Sequence, residues 1–333
     1  MPEKRFAFSG EGEKPPVEPE YQPEQITPVS TGTEEKTTQA PKLPPWFELA
    51  DLRESSPSDD DIRKLVYKQI QEDLKSDRTS DEYNILFIYD STSIMRSDTD
   101  RIYKASTSCT SIKPILLLID SPGGDIPSAY FIAKLCREYS KDRFEVVVPR
   151  RAKSAATLIC CGADKIHMGG RSELGPIDPQ FEGVPALALK HSIEHLAELV
   201  KMYPSASSMF AEYLSKSLRI ESLGYYERVA ESATHYATRL LRDRRTVRQS
   251  EEDIQAIANR LVYSYKDHGF VIDEKEAKDI FGKDVVMYNS PQYQLSDKLY
   301  RSFGMLDWVL KEYYNMKFYF TGSTTEGCTI AKR

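Results

Sequence analysis

The sequence predicts an α/β fold with a buried parallel sheet. Three observations predict it. Residues 84–90, 115–120 and 144–148 are short apolar runs of strand length, rich in Ile, Leu and Val. Their interiors are runs of consecutive apolar residues, interrupted by Glu145, rather than alternating, as strands covered on both faces are. Segments of helical periodicity separate them, which implies crossover connections between parallel strands.

The elements follow in chain order. Residues 1–50 read as a disordered Pro/Glu-rich tail, because nine of the nineteen prolines fall in 1–45 among many Glu, Thr and Gln. Such a composition buries too little apolar surface to offset its chain entropy. The tail ends in Pro44-Pro45-Trp46-Phe47, an aromatic pair expected to dock on the body. Residues 58–76 form a helix: Ser58 and Asp59 cap it, acids fill its first turn, and Ile62, Leu65, Val66, Ile70 and Leu74 make one stripe. The strand 84–90 follows, then a more polar helical stretch at 97–110. The strand 115–120 leads through Ser121-Pro122-Gly123-Gly124-Asp125 into a helix over 126–139. The strand 144–148 leads through a basic loop into a short apolar helix over 155–162, and 165–168 is another strand. Residues 184–265 are mostly helical, with helices expected at 186–202, 223–241 and 253–265. A short helix over 274–281 and a last one over 297–314 complete a domain expected to span 51–315. Residues 316–333 are expected to be a C-terminal tail.

Composition limits the function. The net charge is −6 and the pI about 5.6, so there is no cationic excess to neutralise a nucleic-acid backbone. The run containing Arg242, Arg244 and Arg245 reads as a solvated helix end. No apolar stretch is long enough to span a bilayer, and the N-terminus lacks the apolar core of a signal peptide. A cytoplasmic location is therefore expected. Cys109, Cys136, Cys160, Cys161 and Cys328 form no metal-binding spacing and read as free thiols. His191 and His195 are four apart, but no third ligand accompanies them, so neither a metal nor a cofactor is expected.

Two strand ends carry unusual loops, and ligands of open α/β sheets bind at such ends. The paired glycines of 121–125 permit a sharp turn with bare N–H groups near a helix start. That arrangement suits an oxyanion hole and also suits a plain strand–helix turn. The second loop holds Ser154 among small residues at the start of the 155–162 helix. A nucleophile and a simple N-cap both fit that position.

Order and spacing add to this. Ile119-Asp120-Ser121-Pro122-Gly123-Gly124, Ala152-Lys153-Ser154-Ala155-Ala156-Thr157-Leu158-Ile159, Gly162-Ala163-Asp164-Lys165-Ile166 and Ser172-Glu173-Leu174-Gly175-Pro176-Ile177-Asp178-Pro179-Gln180 occur in sequence. The chain resembles the ClpP/crotonase superfamily, and within it the serine dehydrogenase proteinase (SDH proteinase) group, relatives of signal peptide peptidase A. The resemblance is strongest over about 65 residues and does not reach the tail. It implies a ClpP/crotonase-like repeated β-β-α superhelix with a parallel sheet and a mostly helical C-terminal part. It also implies Ser154 as nucleophile and an oxyanion hole from Gly123, Gly124 and Ala155. The substrate would be a peptide or protein, bound as an added strand, and the assembly a homo-oligomer.

The base is open. Clp-type relatives place a His after the glycine segment, where this chain has Pro176-Ile177-Asp178-Pro179. Signal-peptide-peptidase relatives use a Lys further on, so the resemblance implies a serine endopeptidase with a Ser–Lys dyad; Lys190 and Lys201 are the candidates by spacing, Lys201 nearest the longer one, and Lys216 lies beyond. His268 is the other candidate base. Asp178 is expected to support its loop, or else to orient a base. Lys153 is expected to bind a substrate carboxylate or backbone, and His167 to lie in the core. Three functions compete: a serine peptidase, a non-catalytic assembly or binding module of the same fold, and a crotonase-type acyl-CoA enzyme using Asp125 or Glu173.

Overall fold

The computed structural model describes Trp46 and residues 57–75, 77–89, 92–181, 184–185, 188–217, 220–245 and 249–332. Of the expected tail 1–50, all but Trp46 lies outside the described residues. The first helix, α1, is Asp59–Leu74. Ser58 accepts from the Asp61 amide, and the Asp61 carboxylate reaches back to Ser58, closing a capping box. A single turn, α2 (Thr79–Glu82), leads into β1 (Asn84–Tyr89). Then come α3 (Arg96–Thr107), β2 (Ile115–Asp120), α4 (Ile126–Glu138), β3 (Phe144–Val147), β4 (Arg151–Ala152), α5 (Ala155–Cys161) and β5 (Lys165–Met168).

The alternation gives what it should. β1, β2, β3 and β5 lie side by side and parallel, joined by a further parallel strand β9 (Val286–Tyr288) that the sequence reading had not assigned. The 316–333 segment corrects an expectation. It is not a tail: β10 (Lys317–Ser323) pairs antiparallel with β1, and β11 (Gly327–Lys332) pairs with β10. The main sheet thus runs β11-β10-β1-β2-β3-β5-β9. Alternate residues Phe318 and Phe320 put their rings in the core, where β10 covers the open side of β1.

Both faces of the sheet are covered, which is why its strands read as continuous apolar runs. On one face Leu86, Ile88, Leu117, Ile119 and Val146 pack against α3, α4 and α5. On the other, Ile85, Phe87, Leu116 and Leu118 meet Ile62 and Ile70 of α1 and Leu299 and Phe303 of α11 (Pro291–Tyr314). Trp46 lies in this second core, 3% exposed. Burying one such large side chain stabilises the fold by about 1.5–3 kcal/mol.

Short pieces β6 (Glu173–Leu174), β7 (Gln180–Phe181) and β8 (Val184–Pro185) precede the helical part. That part holds α6 (Ala188–Met202), α7 (Ser207–Ser217), α8 (Ile220–Arg242), α9 (Glu251–Tyr263) and α10 (Glu274–Phe281). The C-terminal ends of α8 and α9 reach the first core through Ala233, Ala237, Leu240, Leu261 and Val262. By contrast, Met202, Tyr203, Met209 and Tyr213 of the α6–α7 pair are exposed.

Candidate active site

The two unusual loops come together at the carboxyl ends of β2 and β3. Ser121 and Ala152 form a parallel bridge, with Ser121 N–H donating to Arg151 O at 3.0 Å and Lys153 N–H to Ser121 O at 3.1 Å. Gly123 has φ 111°, and a side chain there would strike Lys153 O and Ser154 Cβ, both at 2.7 Å. Glycine is therefore required by close approach as well as by conformation. Gly124 has φ 146°, and a Cβ there would lie 2.4 Å from the backbone of Ile94. Ile94 zips onto this turn: its N–H donates to Gly123 O at 2.7 Å and its carbonyl accepts from Asp125 N–H at 2.9 Å.

Ser154 sits at φ 51°, ψ −118°, between β4 and α5. The other non-glycine residues with positive φ among the described residues are Asp or Asn, which tolerate it. A serine held in this sparsely populated region at a strand-to-helix turn stores strain, as functional positions often do. Its hydroxyl makes no capping hydrogen bond, so the N-cap role does not describe it. Thr157 binds the loop instead, donating to Ala152 O at 2.6 Å and accepting from Gly175 N–H at 3.1 Å.

The three expected oxyanion residues separate at this point. Gly123 N–H donates to the Ser121 hydroxyl at 3.2 Å and is engaged. The N–H groups of Gly124 and Ala155 donate to no group among the described residues. They lie on either side of the Gly123–Ser154 contact, next to the starts of α4 and α5, whose dipoles favour negative charge.

The candidate bases separate as well. Lys201 is exposed at the end of α6, whereas a lysine base needs desolvation. This placement runs against its expected role. Lys216 is exposed and paired with Glu212. The Lys190 side chain lies outside the described residues. His268 Nδ1 meets Asp178 Oδ1 at 2.6 Å, with Asp178 buried and the His268 side chain 32% exposed. Gln180 donates to the other Asp178 oxygen at 3.0 Å. His268 Nε2 has no partner among the described residues. The Asp178 hydrogen bond raises the His268 pKa above its ordinary value, against burial and the nearby Lys153 charge, which lower it.

Lys153 joins this pair to the serine loop. Its Nζ donates to Phe270 O at 2.9 Å, Leu174 O at 3.2 Å and Gly269 O at 3.4 Å, and pairs with Glu173 Oε2 at 3.2 Å. Its amine is fully used, so it is not a free ligand for a substrate carboxylate. Gly175 has no side chain because Lys153 Cδ would lie 2.6 Å from a Cβ there. Leu174 and Ile272 add an antiparallel bridge, so residues 267–272 are stitched to the loop that bears Asp178. Sequence reasoning had left the Asp178–His268 pairing unassigned. The sequence named His268 as a candidate base and Asp178 as a residue that supports its loop or orients a base, but nothing local joined the two across the intervening residues.

A family model described as ClpP-like SDH-type serine proteinase matches residues 66–200. An uncharacterized protein of Methanocaldococcus jannaschii is 28% identical over 188 residues, covering 56% of this chain and 59% of that protein. A second one from the same organism is 32% identical over 103 residues, covering 31% and 35%. The chain thus spans less than two thirds of the length of these curated relatives. Among solved structures, a membrane-bound stomatin-specific protease, 1510-N, superposes with TM-score 0.39 at 14% identity, over 61% of this chain and 78% of that one. ClpP1 from Listeria monocytogenes gives TM-score 0.38 at 16% identity, over 63% and 94%.

Proposed function

We propose, from the match of residues 66–200 to a family model of ClpP-like SDH-type serine proteinases, that the chain is a serine peptidase with Ser154 as nucleophile and the His268–Asp178 pair as its base. The observation that carries this is the 2.6 Å contact that fixes His268 by Nδ1 and leaves Nε2 free, beside the lysine adjoining Ser154. Asp178 holds the tautomer with the proton on Nδ1. Ser154 Oγ attacks the scissile carbonyl carbon while its proton passes to His268 Nε2. The oxyanion rests on the N–H groups of Gly124 and Ala155, with Gly123 shaping the turn rather than donating. Collapse breaks the C–N bond, and His268 returns the proton to the leaving amine. Water repeats the sequence on the acyl-enzyme, releasing the acid and restoring Ser154.

The substrate is a peptide lying as an added strand. Ile94 occupies one edge of the 123–125 segment, and the Gly124 amide faces the other. Crotonase-type chemistry has less support: Asp125 caps α4 and bonds Ser128, and Glu173 is paired with Arg150 and Lys153. The buried thiols of Cys136, Cys160 and Cys161, with pKa values raised by burial, suit a reducing compartment and thus a cytoplasmic site of action. No helix among the described residues is long and apolar enough to cross a membrane. The exposed apolar residues of α6 and α7 support contact between copies in a homo-oligomer.

Labelling with a fluorophosphonate tests the reading. The chain is expected to label stoichiometrically and Ser154→Ala not at all. Equal labelling of the two would remove Ser154 as nucleophile, and a wild type inert to both reagent and peptides would leave a non-catalytic module.

A further inference from the structure

Of the arginines at the end of α8, Arg242 and Arg245 are exposed, as the sequence suggested, but Arg244 is not. Arg244 is 6% exposed and lies against the C-terminus of α5, the helix that Ser154 precedes. All seven residues of α5 are completely buried, so its last carbonyls have no water to turn to. Arg244 supplies donors: Nε to Cys161 O at 3.0 Å and Nη2 to Cys160 O at 3.2 Å. Arg137, in the last turn of α4, donates to Gly162 O at 2.6 Å. Its same nitrogen reaches Asp164 Oδ1 at 3.2 Å, and Asp164 also accepts from the amides of Phe144 and Arg245.

This joins the far ends of two helices whose near ends form the candidate site. α4 begins just after Gly124, and α5 begins at Ala155. Packing leaves no slack, because a Cβ on Gly162 would meet Ala133 Cβ at 3.1 Å and Leu240 Cδ2 at 3.4 Å. A seven-residue helix is about 10 Å long and moves as a rod, so displacement at its C-terminus reaches Ala155. The Arg244 guanidinium also lies 5.0 Å from the Phe281 ring, tying α10 to the same point. Its planar fork aims two fixed N–H groups at adjacent carbonyls, a geometry that the point charge of a lysine ammonium does not reproduce.

We propose that Arg137 and Arg244 are positioning residues, which clamp α4 and α5 at their far ends and so set the separation of the Gly124 and Ala155 amides. The proposal rests on the reading of those amides as the oxyanion hole. It is tested on the full chain by the fluorophosphonate labelling rate, expressed per folded molecule, with the thermal midpoint measured in parallel. Arg244→Lys and Arg137→Lys are expected to label on the order of tenfold to a hundredfold more slowly. The pH midpoint of labelling should stay in place, since the base is untouched. Added guanidinium ion should restore the rate of Arg244→Ala and do nothing for Ser154→Ala. Lysine variants that label as fast as the wild type would overturn the clamp while leaving the Ser154 reading intact. So would a rate loss that merely tracks the unfolded fraction, or an Arg244→Ala rate indifferent to guanidinium. A wild type that does not label removes the oxyanion reading and the clamp with it.

Discussion

Two histidine–carboxylate pairs occupy this molecule, and they are built differently. His167 on β5 meets Glu145 on β3 through Nε2 at 3.0 Å, and its Nδ1 meets the Ser290 hydroxyl at 2.7 Å. Both side chains are about 5% exposed or less, and Tyr83 and Arg143 complete the bonds of Glu145. Every polar atom of that ring is engaged, so it cannot exchange a proton with a ligand without breaking the fold's own bonds. His268 has one nitrogen fixed by a buried carboxylate and the other open, with a third of the side chain at the surface. A histidine bonded at both nitrogens braces two strands. One bonded at a single nitrogen, in a segment held by the lysine that adjoins Ser154, keeps its other nitrogen open to a proton.

That contrast can be broken by substitution. His268→Ala should produce the largest effect, slowing fluorophosphonate labelling on the order of a thousandfold with little change in thermal midpoint. A loss under tenfold would show that Ser154 uses another base. Asp178→Asn comes next. It should slow labelling on the order of a hundredfold and move the pH midpoint down, because the carboxylate that raises the His268 pKa is gone. A midpoint that stays put or rises would separate Asp178 from the base. In the wild type, labelling should rise with pH through a midpoint above the ordinary histidine value of about 6.5, as His268 becomes neutral. The stability linkage runs the other way. The raised folded pKa means the pair stabilises the fold fully below the unfolded value, and this contribution fades as pH climbs through the folded one.

Lys153→Met should have a smaller effect on rate, on the order of tenfold, by freeing the 268–270 segment from the serine loop. It should also raise the pH midpoint, since a cation that lowers the His268 pKa is removed. His167→Gln sharpens the comparison from the other side. Labelling per folded molecule should be unchanged, while chemical denaturation should show a loss of about 1–3 kcal/mol from the disrupted buried bonds. If that substitution moved the pH midpoint instead, the division between a bracing and a reactive histidine would fail. Glu145 marks the same region thermodynamically. Burial alone would raise its pKa, but His167, Tyr83 and Arg143 hold it below the ordinary value. Its stabilising contribution is present above the unfolded pKa and is lost as pH falls through the folded one.

The sequence by itself determined the local features. Apolar runs of strand length fix β1, β2, β3 and β5 because a strand covered on both faces needs no polar alternation. The pattern of α1 is visible because its cap, first-turn acids and stripe all lie within one helix. Gly123, Gly124 and Ser154 were legible because a strand–turn–helix joint is written in consecutive residues. What lay far apart along the chain was decided by tertiary structure. Phe318 and Phe320 follow the last helix like any short run, and only the open side of β1 makes them a strand. Arg244 reads as surface charge because nothing beside it announces the unpaired carbonyls of α5, some 83 residues earlier. Lys201 met the spacing expected of a base, and its exposure at the end of α6 is a matter of packing. The Asp178–His268 pair spans 90 residues and forms because β6 bonds the 267–272 segment. Periodicity reports what a segment does with its own neighbours. Pairing between distant segments depends on where the folded core leaves an unsatisfied donor, acceptor or edge, and no local pattern records that.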